Sequence, residues 1–152
     1  MSTTVTYQSK ATTLLATFFM GEALFALDAT AVQEVIRLSP AAPVRHAPPE
    51  VTGVINLRGK IVTLLDTGLI LGLGEVARDK ESRVFLIEDR GEFLGLLVDR
   101  VGEVIEVDPS GGEPLPLNIP PSQARFFTGV CRAGGRVITL LNIGELLSGV
   151  RA

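Results

Sequence analysis

The residues best suited to bond-making chemistry lie in LLDTG, residues 64 to 68. It is an Asp-Thr-Gly in an apolar setting, and two such carboxylates sharing one proton can drive a water against an amide. That chemistry needs a pair. The chain repeats the stretch as LLNIG, residues 140 to 144, with Asn142 where the second carboxylate should stand. Asp66 and Asn142 share a simpler property, since both residue types cap the start of a helix. The other routes to catalysis are poorly supplied. His46 is the only histidine and Cys131 the only cysteine, so no Ser-His-Asp or Cys-His pair is secured. No cluster of His, Cys and acids has metal-ligand spacing, so neither a metal nor a cofactor is expected. Gly72-Leu73-Gly74 has no following lysine and reads as a helix end, not a phosphate cradle.

Recognition is the remaining chemistry. In GVINLRGKIVTLLD, residues 53 to 66, a long cation, Arg58, stands at the turn between two apolar runs. GVCRAGGRVITLLN, residues 129 to 142, repeats the pattern without a gap, and there the position of Arg58 holds Gly134. The scaffold is copied and the arginine is not. Arg58 is either a solvated hairpin tip, paired with Glu34 or Glu50, or an interface anchor whose planar fork makes several directed hydrogen bonds. VQEVI at 32 to 36 and VGEVI at 101 to 105 form a second repeated feature, an acid between valines. It fits a strand with an acidic outer face or an apolar docking strip with a charged latch.

These residues need elements to hold them. TLLATFFMGEALFALD reads as two strands joined at Met20-Gly21-Glu22. ATAVQEVIRL, 29 to 38, has helix-like spacing but is short and β-branched, so strand and helix both stay open. SPAAPVRHAPPE, 39 to 50, is an extended connection. Strands over 53 to 57 and 60 to 65 flank Arg58-Gly59, and Asp66 caps a short helix over 67 to 72. ARDKESR, 77 to 83, is a charged linker. The stretch 83 to 108 is a hairpin turning at Asp89-Arg90-Gly91, then one more strand. A loop rich in Pro and Gly spans 109 to 123, and Asn142 with Glu145 makes a capping-box pattern for the last helix. Residues 1 to 12 are a polar, flexible arm, and 13 to 152 form one domain.

The duplication extends beyond the two Gly-Val hairpins. MGEALFALDATAVQEVI, 20 to 36, matches RGEFLGLLVDRVGEVI, 90 to 105, after a one-residue gap. The pieces of the two copies are interleaved along the chain. Short strands punctuated by turns predict an all-β fold of two small antiparallel barrels, packed together with a groove between them. The chain has 152 residues, 46% of them hydrophobic, and a mean hydropathy of +0.37, enough to fill such a core. Fourteen basic residues scattered among seventeen acids, for a net charge of -3, argue against nucleic acid. No apolar run is long enough to span a membrane, and nothing at the start reads as a signal peptide. The expected compartment is the cytoplasm.

The motifs GVINLRGKIVTLLD, VQEVI, GLLVDRVGEVIEV and GVCRAGGRVITLLNIGELL, in that family's characteristic set, resemble the CheW-like domain, the chemotaxis coupling protein family. The resemblance runs from about residue 12 to residue 148. It implies two SH3-like five-stranded β-barrels packed around a groove, and a non-catalytic adaptor. Such adaptors bridge the cytoplasmic tip of a methyl-accepting chemoreceptor to the regulatory domain of a histidine kinase. It also implies partner-binding roles for Val32, Glu34, Gly53, Asn56, Leu57, Arg58, Gly95, Val101 and Val104. Thr63, Thr67 and Gly68 depart from the family pattern, which leaves a twitching or biofilm pathway open. Two other classes stay in view. One is a dimeric aspartic-type peptidase built on Asp66-Thr67-Gly68. The other is a double barrel that binds a small molecule.

Overall fold

Alternation of inward side chains on both faces shapes the first hairpin. In β1 (Thr13–Met20), Leu15 points to one small core while Phe18 and Met20 point to a larger one, so nearly the whole strand is buried. A tight turn at Gly21-Glu22 returns the chain as β2 (Ala23–Asp28). The computed structural model describes residues 12–108, 112–115 and 120–151. The flexible arm read at 1 to 12 lies outside these residues except for Thr12, and so does much of the Pro- and Gly-rich loop.

The elements that follow are a 3-10 turn at Ala29–Ala31, β3 (Glu34–Arg37), β4 (Val51–Leu57), β5 (Lys60–Asp66) and α1 (Thr67–Ile70). The second half holds β6 (Arg83–Asp89), β7 (Glu92–Val98), β8 (Arg100–Val107), α2 (Pro121–Ala124), β9 (Phe127–Ala133), β10 (Arg136–Leu141) and α3 (Ile143–Arg151). The ambiguous VQEVI segment is resolved as a strand. Asp28 ends β2 by accepting from Thr30 N at 2.9 Å, and Gln33 N then donates to Leu86 O at 2.8 Å. The open edge of β6 decides the matter, and β-branched Val35 and Ile36 suit it.

Two five-stranded sheets result, in the orders β8-β1-β2-β10-β9 and β3-β6-β7-β5-β4. Each takes one hairpin from either half of the chain. β3 leaves the first hairpin to join the second sheet, and β8 leaves β7 to join the first, so the sheets are interlocked. Each then curls toward closure through one bridge. Ala42 exchanges two hydrogen bonds with Val54 of β4, at 2.9 and 2.8 Å, and Glu113 does the same with Val130 of β9, at 2.7 and 2.9 Å. These are SH3-like barrels, as the family resemblance implies. The turn spacing predicts small barrels but wholly antiparallel ones. Here β2 runs parallel to β10 and β5 to β7, because each pair joins strands from different hairpins.

One core joins them. Phe18 is fully buried, stacks with Phe25 at 5.7 Å and meets Phe85 of the other sheet edge-on at 5.6 Å. Leu146 and Leu147 of α3 close its end. Between the barrels, where a groove is expected, lies a cleft of about 440 Å³ at which the 3-10 turn, the β6–β7 tip and α3 meet. Its walls are largely polar, with Gln33, Glu88, Asp89 and Arg90 among them, because the apolar surfaces are already spent on the shared core. The capping box on α3 is half made. Asn142 Oδ1 accepts from Glu145 N at 3.1 Å, but Asn142 N donates to Phe126 O at 2.7 Å, which leaves the Glu145 carboxylate no return bond.

Candidate functional site

The β4–β5 turn is built to present one side chain. Asn56 Oδ1 accepts from Gly59 N at 2.9 Å and ties the turn. Leu57 is half-buried and packs on the main core. Arg58 and Gly59 both take left-handed backbone conformations, φ 50° and 84°. This is the two-residue hairpin turn that matches the twist of paired strands. Glycine enters it freely, while a side chain there costs about 1 kcal/mol or more. The duplicate turn uses Gly134 and Gly135. Arg58 thus occupies a position its own copy gives to glycine.

From there its guanidinium crosses to the carboxylate of Glu34, the first residue of β3. β3 and β4 are the opposite edges of one sheet, so the pair links the two ends of the open strand order. The Arg58 side chain is 65% exposed and that of Glu34 38%. An exposed pair of this kind contributes at most about 1 kcal/mol to folding. The latch orients Arg58 and leaves most of it available.

The remaining residues singled out in the sequence divide by location. Val32 is half-buried beside Glu34 and packs on the main core. Gly53 and Gly95 are buried, and both have packing jobs. A Cβ on Gly53 (φ 154°) would meet Ala42 O at 2.5 Å, where the barrel closes. One on Gly95 would meet Val84 Cγ1 at 2.5 Å and Leu64 Cδ2 at 2.9 Å. Val101 and Val104 stand exposed on β8, an edge strand of the other sheet, and do not join the Arg58 group. Sequence reasoning missed Val35, exposed between Glu34 and Ile36, and Ile61, 60% exposed on β5. The signal was there: Ile61 is apolar at an outward position, with inward Val62 next to it.

The peptidase reading fails at Asp66. Its side chain is fully buried. Oδ1 accepts from Leu69 N at 3.0 Å and Val76 N at 3.2 Å, and Oδ2 takes Val76 N at 3.1 Å. Arg78 sits 3.8 Å from Oδ2. A carboxylate sealed by backbone N–H groups cannot reach a substrate, so it is an N-cap and a loop tie. Gly68, which departs from the family pattern, serves the same corner. A Cβ there would lie 2.1 Å from Gly74 O. Thr63 is paired on both sides, with Val54 and Leu94, where a proline would delete a ladder bond. Burial pushes the Cys131 thiol up, which suits a small core residue and not a nucleophile. Among the described residues no group of three or more His, Cys, Asp or Glu could hold a metal. No helix among them is long and apolar enough to cross a membrane.

Interlocked SH3-like barrels with an exposed arginine latch define the class: a double-barrel module whose chemistry is at its surface. The chain belongs to the CheW-like domain family, whose model matches residues 15–151. It is 31% identical to the chemotaxis protein CheW of Rhizobium meliloti over 132 residues, covering 87% of this chain and 85% of that protein. It is 27% identical to protein FrzA of Myxococcus xanthus, covering 88% and 84%. The fold superposes on the scaffolding protein TtCheW from Thermoanaerobacter tengcongensis with a TM-score of 0.80 and 30% identity, over 90% of this chain and 88% of that one.

Proposed function

We propose that this chain is a chemotaxis coupling adaptor. It holds a histidine kinase, through the kinase's regulatory domain, against the cytoplasmic helical hairpin of a chemoreceptor. It works in the cytoplasm, at membrane receptor arrays, and performs no catalysis. Family membership supplies the role, and Arg58 is the observation in this chain that carries it. A cation kept in a left-handed turn, against the glycine of its own duplicate, is retained for something other than stability. Its placement beside Glu34, with Val35 on the same strand, suits a helical hairpin that offers both carboxylates and apolar side chains. The edge valines Val101 and Val104 on the other barrel offer a second, separate surface. An adaptor must occupy two surfaces at once, and a double barrel provides them.

The test is reconstitution with receptor-containing membranes and kinase. The adaptor should co-sediment with both, and kinase autophosphorylation should become receptor-dependent only when it is added. Co-sedimentation of neither partner, or receptor control that needs no adaptor, would overturn the reading.

A further inference from the structure

The duplication supplies an internal control for an unexplained feature, a pocket of about 390 Å³ in the first barrel. Strand registers match the two barrels position by position. Leu24 pairs with Ile138 as Phe93 pairs with Val62, and Ala133 faces Arg136 as Leu57 faces Lys60. At the mouth of the second barrel the space is filled. Leu86 is buried beside Glu34, Phe93 lies under Lys60 Nζ at 4.5 Å, Leu57 packs on the core, and Arg58 crosses the opening. In the first barrel each of these positions is smaller. Thr17 replaces Leu86, Leu24 replaces Phe93, Ala133 replaces Leu57, and Gly134 replaces Arg58. Gly102 likewise stands for Gln33. At each of these matched positions the first barrel carries the smaller residue.

The emptied space has a definite chemistry. Its floor is apolar, with Ile105 and Ile138 below the small residues. Phe19 lines one side and carries two guanidiniums, Arg100 at 3.9 Å and Arg136 at 5.1 Å from the ring centroid. Stacking fixes the plane of a guanidinium while leaving its N–H edge free to donate. Among the described residues no carboxylate forms an ion pair with either arginine. The pocket lining itself holds one cation, Arg136, and one acid, Glu103, and Arg100 on the Phe19 ring adds a second cation beside it. The Thr17 hydroxyl is already spent, donating to Glu103 O at 2.5 Å.

We propose that this pocket binds a small amphiphilic anion, an apolar body in the barrel with a carboxylate or similar head on Arg136. The volume lies at the small end of ligand sites, so the body is a medium alkyl chain or one or two rings. This site does not depend on the adaptor reading.

The test is amide NMR of the full isotope-labelled chain, titrated with octanoate and with 1-octanol as its uncharged counterpart. Octanoate should give saturable shifts centred on Leu24, Gly102 and Gly134, and none at their duplicates Phe93, Gln33 and Arg58. Arg136→Gln should weaken octanoate about tenfold, the loss of a charge-assisted contact, and leave 1-octanol unchanged. Ala133→Leu restores the duplicate's plug and should abolish both. Gly134→Arg, which copies Arg58 into a position with open space around it, should do the same without touching the pocket floor. Non-saturable shifts, equal shifts in both barrels, or binding that survives both plugging variants would each refute the site.

Discussion

Replacing Arg58 with glycine separates a structural arginine from a recognition arginine more sharply than alanine does. The substitution installs what the duplicate turn already carries at Gly134. Removing a side chain from φ 50° relieves about 1 kcal/mol of backbone strain. Glycine gives back up to about 1 kcal/mol through the freedom it adds to the unfolded chain. Loss of the exposed pair with Glu34 costs at most about 1 kcal/mol more. The terms nearly cancel, so folding stability should change by less than about 1 kcal/mol, a few degrees in melting temperature. Binding to a chemoreceptor hairpin should fall by about 2 kcal/mol or more, roughly thirtyfold in Kd, as for a central arginine anchor. Urea denaturation gives the first quantity, and titration calorimetry against a receptor fragment that binds the natural protein gives the second. A variant that loses more than about 2 kcal/mol of stability while binding normally refutes the reasoning, because Arg58 would then be holding the barrel closed.

The same reasoning extends to other positions. Asp66→Asn should cost about 1–3 kcal/mol in denaturant unfolding, more than a simple cap exchange, because both oxygens accept buried N–H groups. Gly53→Ala and Gly68→Ala should each destabilise by about 2 kcal/mol or more, since each new Cβ would press on a carbonyl oxygen, 2.5 Å from Ala42 O and 2.1 Å from Gly74 O. Neither should be rescued by a receptor partner. Burial raises the Cys131 thiol above its ordinary 9.0, so above that pH the unfolded chain sheds a proton that the folded chain keeps. Its contribution to stability should be complete below pH 9.0 and decline as pH rises. A Cys131→Ala variant compared across alkaline pH would isolate it, and a slope that is the same with and without the thiol would reject the assignment.

The sequence by itself determined the local structure and the duplication. The turns at Gly21, Arg58-Gly59 and Arg90-Gly91, the strands between them and the caps at Asp66 and Asn142 rest on neighbours a few residues apart, and those are written in order. Family membership was legible for the same reason, because its motifs are contiguous. The candidate site was half legible. Both Glu34 and Arg58 stood out, but two readings of Arg58 stayed open, since a cation's partner depends on which strands lie together. Only the tertiary structure decided that. The exchange of β3 and β8 between sheets brings Glu34 to the barrel that carries Arg58. It also sends Val101 and Val104 to the other barrel, while Gly53 is buried by the Ala41-Ala42 connection and Gly95 by Val84, Leu64 and Val62. Asp66 became a sealed tie only when Val76 and Arg78 folded back over it. The empty mouth of the first barrel arises from Thr17, Leu24, Gly102 and the adjacent Ala133-Gly134, which come from four separate stretches of the chain. Volume left unfilled is a property of what surrounds it, and no window along a chain contains its walls.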